Sequence, residues 1–323
     1  MTRTKKIAGA LLALPLLATA CSGGEADGAD ASVGPVGELT IAMVTHANPG
    51  DLFWDVVRAG LDQAASDHGI TTTYQGSGEP AEQAQFIETA ISQDVDGLIV
   101  SMANPDALRG SVEQAVEAGI PVITINSGAE VSAEFGAMAH VGQTESVAGE
   151  ATGERLTEEG LTNVLCVVHE AGNVGLEERC AGAASTFDGE MRNVQVQVSD
   201  LGAAAATIAA ELQSDDSIDG VLTLNNGVAG AAVDALGTAA RDDVGIATFD
   251  VDSDVLAGIT AGDILFAVDQ QPYLQGYLPV TMLYLYAANG NTVGGGQPVL
   301  TGPGFVDASN VEQVTQYAEQ GTR

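Results

Sequence analysis

Residues 97–126 read GLIVSMANPDALRGSVEQAVEAGIPVITIN, and this stretch decides the fold class. The runs 97–101 and 121–125 are short, apolar and β-branched, and 105–118 between them is a helical stretch. Strand, helix and strand within thirty residues is the unit of a parallel sheet covered by helices. The same alternation continues outward in both directions. Toward the N-terminus, β-rich runs fall at 39–44 and 71–74, with helices at 53–68 and 82–93. Toward the C-terminus, runs at 164–168, 194–198, 220–224, 244–249 and 264–268 alternate with helices at 177–191, 204–213, 228–238 and 253–261. Only 127–145 is irregular. The expected class is α/β. The strands outnumber what one sheet holds comfortably and the segment is longer than one core, so two doubly wound parallel-sheet lobes are expected.

The first forty residues are of another kind. Arg3, Lys5 and Lys6 precede an apolar run at 7–17, long enough for a signal peptide and too short to cross a bilayer. Leu17-Ala18-Thr19-Ala20-Cys21 resembles a bacterial lipobox, which implies a signal peptide over 1–20 and a lipid on the Cys21 sulfur. Residues 21–38, rich in Gly, Ala, Asp and Ser, read as a flexible tether. The expected location is extracytoplasmic, anchored to the outer face of the cell membrane. Ordinary secretion with Cys21 incidental is the alternative.

Beyond residue 20, seven arginines and no lysine face 44 acids, a formal charge of −37. Such a surface repels phosphate backbones and excludes nucleic acid as a partner. Cys166 and Cys180 remain in an oxidising setting, where a disulfide is expected and two separate buried thiols are the other possibility.

In parallel sheets, ligands sit beyond the carboxyl ends of the strands, where the strand order reverses. The residues just past each strand are therefore candidates. They are Asp51, Phe53 and Trp54 after the first, Asn104 after the third and Asn126 after the fourth, then Glu177, Asn225, Asp250 and Gln270 in the second half. Amides and carboxylates pair with hydroxyl groups, and an aromatic face covers the C–H side of a sugar ring. Trp54 is the only tryptophan. Other roles fit some of these positions equally. Asn104 before Pro105 is also a helix N-cap pattern, Phe53 and Trp54 cannot both face one way, and Glu177 suits a solvated first helical turn.

Gly50-Asp51-Leu52-Phe53-Trp54, Asn104-Pro105-Asp106-Ala107, Pro121 through Asn126, Glu178-Arg179-Cys180-Ala181-Gly182, Asn225-Asn226-Gly227, Thr248-Phe249-Asp250 and Asp269 through Gly276 occur in that order. Together they make the chain resemble the ribose-binding-like substrate-binding proteins of ABC importers, over residues 39–310. The resemblance implies three crossings between the lobes, near 127–140, 251–270 and 290–300. It places 39–127 and 270–291 in the first lobe, with the helix at 272–288 packed back on it, and 128–269 and 292–323 in the second. It implies a cleft holding a sugar or polyol on the nine candidates, no cofactor or metal, a monomer, and an ABC permease with its ATPase as partners. Glu177 stands where the ribose binders carry arginine, Asn104 where they carry aspartate, and Asp51 replaces an amide. With three acids and no arginine in that set, a neutral ligand is expected.

Enzyme classes find little support. The four histidines show no HExxH spacing, and no P-loop, zinc pattern or GxSxG elbow occurs. A sugar-responsive transcription regulator would need a basic DNA-reading module where this chain has its apolar leader. The functional alternative to uptake is a sensor whose liganded form docks on a membrane receptor.

Overall fold

The computed structural model describes residues 37–323. The signal peptide, Cys21 and the tether up to residue 36 lie outside the described residues. The chain begins with β1 (Thr40–Thr45), α1 (Leu52–His68), β2 (Thr71–Gly76), α2 (Pro80–Ser92), β3 (Gly97–Ser101), α3 (Pro105–Glu117), β4 (Val122–Ile125), α4 (Ala129–Ser132) and β5 (Ala139–Gly142). It repeats the scheme with α5 (Glu145–Glu158), β6 (Asn163–Val168), α6 (Val174–Thr186), β7 (Glu190–Gln195), α7 (Leu201–Ser214), β8 (Gly220–Thr223), α8 (Asn226–Ala239), β9 (Gly245–Phe249), α9 (Ser253–Ala261) and β10 (Phe266–Asp269). It ends with α10 (Pro272–Asn289), β11 (Val299–Leu300), β12 (Gly304–Asp307) and α11 (Val311–Ala318).

The strands form two six-stranded sheets, ordered β11-β5-β4-β3-β1-β2 and β12-β10-β9-β8-β6-β7. Among the described residues, all pairings are parallel except β10 with β12. Each sheet repeats one winding, so β6 in the second occupies the place of β1 in the first. The strand order reverses between β1 and β3, and between β6 and β8. Apolar side chains pack on both faces of each sheet, Ile41 and Met43 on one side of β1 and Ala42 and Val44 on the other. This two-sided burial is why the strands read as continuous apolar runs rather than alternating ones.

The chain passes between the sheets three times: between β5 and α5, between β10 and α10, and between β11 and β12. This corrects the expected lobe limits. Residues 128–142, expected in the second lobe, contribute β5 to the first sheet, with Thr124 opposite His140. Within 292–323, β11 also joins the first sheet beside β5. The physical reason is plain in Ala139-His140-Val141-Gly142: the strand holds its place by pairing with β4 and carries no branched apolar run to announce it.

Helix α10 returns to α1 at very close range. A Cβ on Gly276 would overlap the Val57 carbonyl, and one on Gly60 the Tyr273 carbonyl. Gly276→Ala gains about 1 kcal/mol of helix propensity but forces two backbones apart, at about 1–3 kcal/mol or more. A net loss of stability in urea unfolding is the expected outcome, and a gain would show that the crossing relaxes freely. In the second lobe, α5 and α6 cross as tightly through Gly149, Gly153 and Gly182. Cys166 on β6 and Cys180 on α6 are joined by a disulfide, with their Cα atoms 6.1 Å apart.

Candidate functional site

The two lobes face each other across their strand carboxyl ends, and each supplies matching positions. His46 follows β1 and His169 follows β6. Asp51 caps α1 and Asn173 caps α6, each accepting backbone N–H groups of the first turn. Asn104 caps α3 and Asn225 caps α8 in the same way. Asn126 follows β4 and Asp250 follows β9, both in left-handed backbone with φ of 60° and 68°. Non-glycine residues hold that conformation where the surroundings enforce it, commonly at sites of function.

These positions line one cleft with two parts. The inner part, about 30 Å³, is bounded from the first lobe by Asp51, Phe53, Trp54 and Asn126, and from the second by Asn225, Asp250 and the crossing residue Gln270. The outer part, about 370 Å³, shares His46, His169, Glu170 and Asn173 with it. Asn104 lines this outer part and also caps α3, its Oδ1 accepting the Ala107 N–H. Phe53 and Trp54 both reach the cavity and are both buried, their rings edge to face at 5.1 Å.

The lobes touch directly. Asn225 Nδ2 donates to Asp51 Oδ1 at 3.2 Å, and the Val174 N–H donates to the Ala103 carbonyl at 3.0 Å. A chain of amides links Asn126 Nδ2 to Gln270 Oε1 at 3.1 Å and Gln270 Nε2 to Asp250 Oδ1 at 2.6 Å. The cleft is therefore closed, with Asp51 paired to Asn225 and Asn126 linked through Gln270 to Asp250 across it.

Glu177 lies elsewhere. It is exposed and borders a separate surface depression with Gly172 and Asn193. At 100° per residue, Leu176, Arg179 and Cys180 share the buried face of α6 and Glu177 points away from it. Arg179 is the residue that reaches the cavity. This corrects both the choice of Glu177 and the expectation of a site without arginine. The periodicity of Leu176 and Cys180 is the signal that picks out Arg179. Its guanidinium is bidentate on Glu145, with Nε to Oε2 at 2.6 Å and Nη2 to Oε1 at 2.9 Å. Nη1 donates to the Leu224 carbonyl, and the group lies 4.7 Å over the Phe249 ring. The positive charge enters the cleft already neutralised.

Burial sets the remaining charges. It pushes the Asp250 carboxyl up to about 7, against the pull of Arg179 and the Gln270 hydrogen bond. It pushes Asp51 up to about 6, opposed by the Phe53 N–H and Asn225. It drives His46 and His169 down to about 3, with Arg179 acting in the same direction on each. Both imidazoles are neutral near neutral pH. Near neutral pH the cleft thus holds two neutral imidazoles, several amides, a largely ionised Asp51 and a partly protonated Asp250 around one closed ion pair. That arrangement suits an uncharged, hydroxyl-rich molecule, because each hydroxyl both donates and accepts. An anion would meet Asp51, Glu170 and Asp250, and the one cation lining the inner cleft, Arg179, is already committed to Glu145. No group of metal-ligating side chains occurs among the described residues.

Comparison with known proteins places this geometry among relatives. A model of the periplasmic binding protein domain matches residues 41–292. A carbohydrate transporter from Acidothermus cellulolyticus, solved in complex with myo-inositol, is 45% identical with a TM-score of 0.87, covering 88% of this chain and 100% of that one. The ribose import binding protein of Bacillus subtilis is 28% identical over 85% of this chain and 90% of its own length. A xylose/arabinose-binding protein of Sulfolobus acidocaldarius is 27% identical over 70% of this chain, a match that spans 60% of that protein's length.

Proposed function

The chain belongs to the periplasmic binding protein family, and from that premise we propose that it captures a small neutral polyol or sugar and delivers it to an ABC importer. The observation that carries the reading is the closed inter-lobe cavity, where Asp51, Asn126, Asn225, Asp250 and Gln270 converge beside Phe53 and Trp54. Carboxylates and amides in that number match a ligand with many hydroxyls, and the two aromatics supply the apolar wall that a saturated ring needs. The myo-inositol complex of the 45% identical relative favours a cyclitol over a pentose for this chain. The relatives named above carry ligands for transport, and the chain is read as a binder, not an enzyme. Arg179, neutralised by Glu145, leaves the preference for an uncharged ligand standing on new grounds. The lipobox around Cys21 supports attachment to the outer face of the membrane, with the tether over 21–38 giving reach to the permease. The working form is a monomer.

A thermal-shift screen of inositols, alditols, pentoses and hexoses tests the ligand class. A ligand at a hundred times its dissociation constant stabilises the fold by about 2.7 kcal/mol. Myo-inositol should give a shift of that order, and Trp54 fluorescence should change with it, since the sole tryptophan lines the cavity. A screen in which only sugar phosphates or sugar acids shift the transition would overturn the neutral-ligand reading.

A further inference from the structure

We propose that His46 and His169 act as a matched pair of ligand contacts, one on each lobe, whose ring nitrogens grip the same polyol as the lobes close. The inference deepens the reading above and rests on it. The two residues occupy equivalent places, immediately after β1 and β6, the strands at which the order of each sheet reverses. Both line the inner and the outer part of the cleft, and each is 6% exposed. Neither belongs to the stretches that carry the resemblance to the ribose binders.

Their local chemistry differs in a useful way. Ser101 Oγ accepts the His46 backbone N–H at 2.9 Å and lies 2.7 Å from His46 Nδ1. The hydroxyl keeps a second lone pair, so Nδ1 either accepts from Ser101 or donates to it, and Nε2 takes the opposite role. Edge-to-face contact with Trp54, at 4.8 Å between centroids, holds the ring in place. His169 has no such anchor: its Nδ1 is buried without a hydrogen-bond partner. A buried polar atom left unpaired is destabilising, and a hydroxyl group in the cleft would relieve it. One imidazole is thus anchored through Nδ1 with Nε2 left to donate or accept, and the other carries an unsatisfied nitrogen. A hydroxyl can answer either one. A cyclitol bears hydroxyls all around its ring and can offer one to each lobe at the same time. The pair therefore favours ring polyols over ligands with hydroxyls along one edge only.

Calorimetric titration of the exported chain with myo-inositol, at about pH 8 where both rings are neutral in the open form as well, provides the test. His46→Asn and His169→Asn should each weaken binding about three- to tenfold, the loss of one neutral hydrogen bond. Histidine-ring NMR of the unmodified chain gives an independent readout that needs no variant. The His46 and His169 signals should move on saturation, while His68, which stacks on Tyr284 outside the cleft, stays put. Variants that bind as tightly as the original chain, or ring signals unmoved at saturation, would overturn the pair and leave the polyol reading intact. If the unmodified chain binds no polyol or sugar at all, both fall together.

Discussion

Arg179→Ala should destabilise the second lobe by about 3–5 kcal/mol, the usual result of stripping one partner from a buried ion pair. Arg179 and Glu145 are 3% and 2% exposed, so neither charge has water to fall back on. Without the guanidinium, Glu145 keeps only the 2.8 Å bond from Gln143 Nε2. Two further contacts go with the side chain, the bond to the Leu224 carbonyl and the stack on Phe249, and the lost ion pair was itself the tie between the start of α5 and the middle of α6. The α5–α6 crossing is glycine-tight, so the vacated volume cannot be filled by the helices sliding closer. Replacing both partners at once, as in Arg179→Met with Glu145→Leu, should recover most of the loss, because no orphaned charge remains. Ligand affinity should stay low in both proteins, since Arg179 lines the cavity. Urea unfolding separates these outcomes. A single variant within about 1 kcal/mol of the original chain would mean that water reaches Glu145 or that it takes up a proton at little cost.

The contrast between Arg179 and Glu177 also shows where sequence reading succeeds and fails. Asp51, Asn126, Asn225, Asp250 and Gln270 are legible because the rule that selects them is topological: ligands lie past the carboxyl ends of parallel strands. Those strands announce themselves through apolar runs buried on both faces. Arg179 answers to a different rule, the rotation of α6, and matching a family motif residue by residue picks the neighbour on the wrong face. Strand β5 is invisible for a related reason, because its place depends on pairing with β4 and not on its own composition. His46 and His169 obey the strand-end rule too, but a lone histidine carries no signal of its own until the fold shows that two of them sit at equivalent places. The contact between Asp51 and Asn225, 174 positions apart, belongs to the closed arrangement of the lobes, which no local pattern encodes.

Asp250→Asn should lower ligand affinity at least tenfold and, at the same time, make the unliganded protein more stable at alkaline pH. Affinity falls because a carboxylate accepting ligand hydroxyls contributes about 1.5–3 kcal/mol per charged hydrogen bond, and an amide offers a weaker acceptor. Stability moves the other way because burial raises the carboxyl from its ordinary value of 3.8 to about 7. A group whose folded pKa is raised in this way costs nothing below the unfolded value, where both states are protonated. The cost grows as pH climbs toward 7, where the unfolded chain has released its proton and the closed protein has not, and it is constant above that. At about pH 8 it amounts to several kcal/mol in the closed form, since each tenfold difference in proton affinity between the two states is worth about 1.4 kcal/mol. Opening the cleft lets water back to Asp250 and recovers part of it. Asparagine keeps the acceptor for Gln270 Nε2 and tolerates the left-handed backbone at this position, so the exchange introduces no strain. Comparing the two proteins across pH cancels Asp51, raised in the same direction, and His46 and His169, whose lowered values oppose it below about 6.5. The stability difference should therefore be small near pH 4, widen up to about 7 and then level off. Calorimetry with the polyol and urea unfolding over that range measure both halves. A stability gap that does not change with pH would show that Asp250 is hydrated in the unliganded protein, and unchanged affinity would remove it from the binding site.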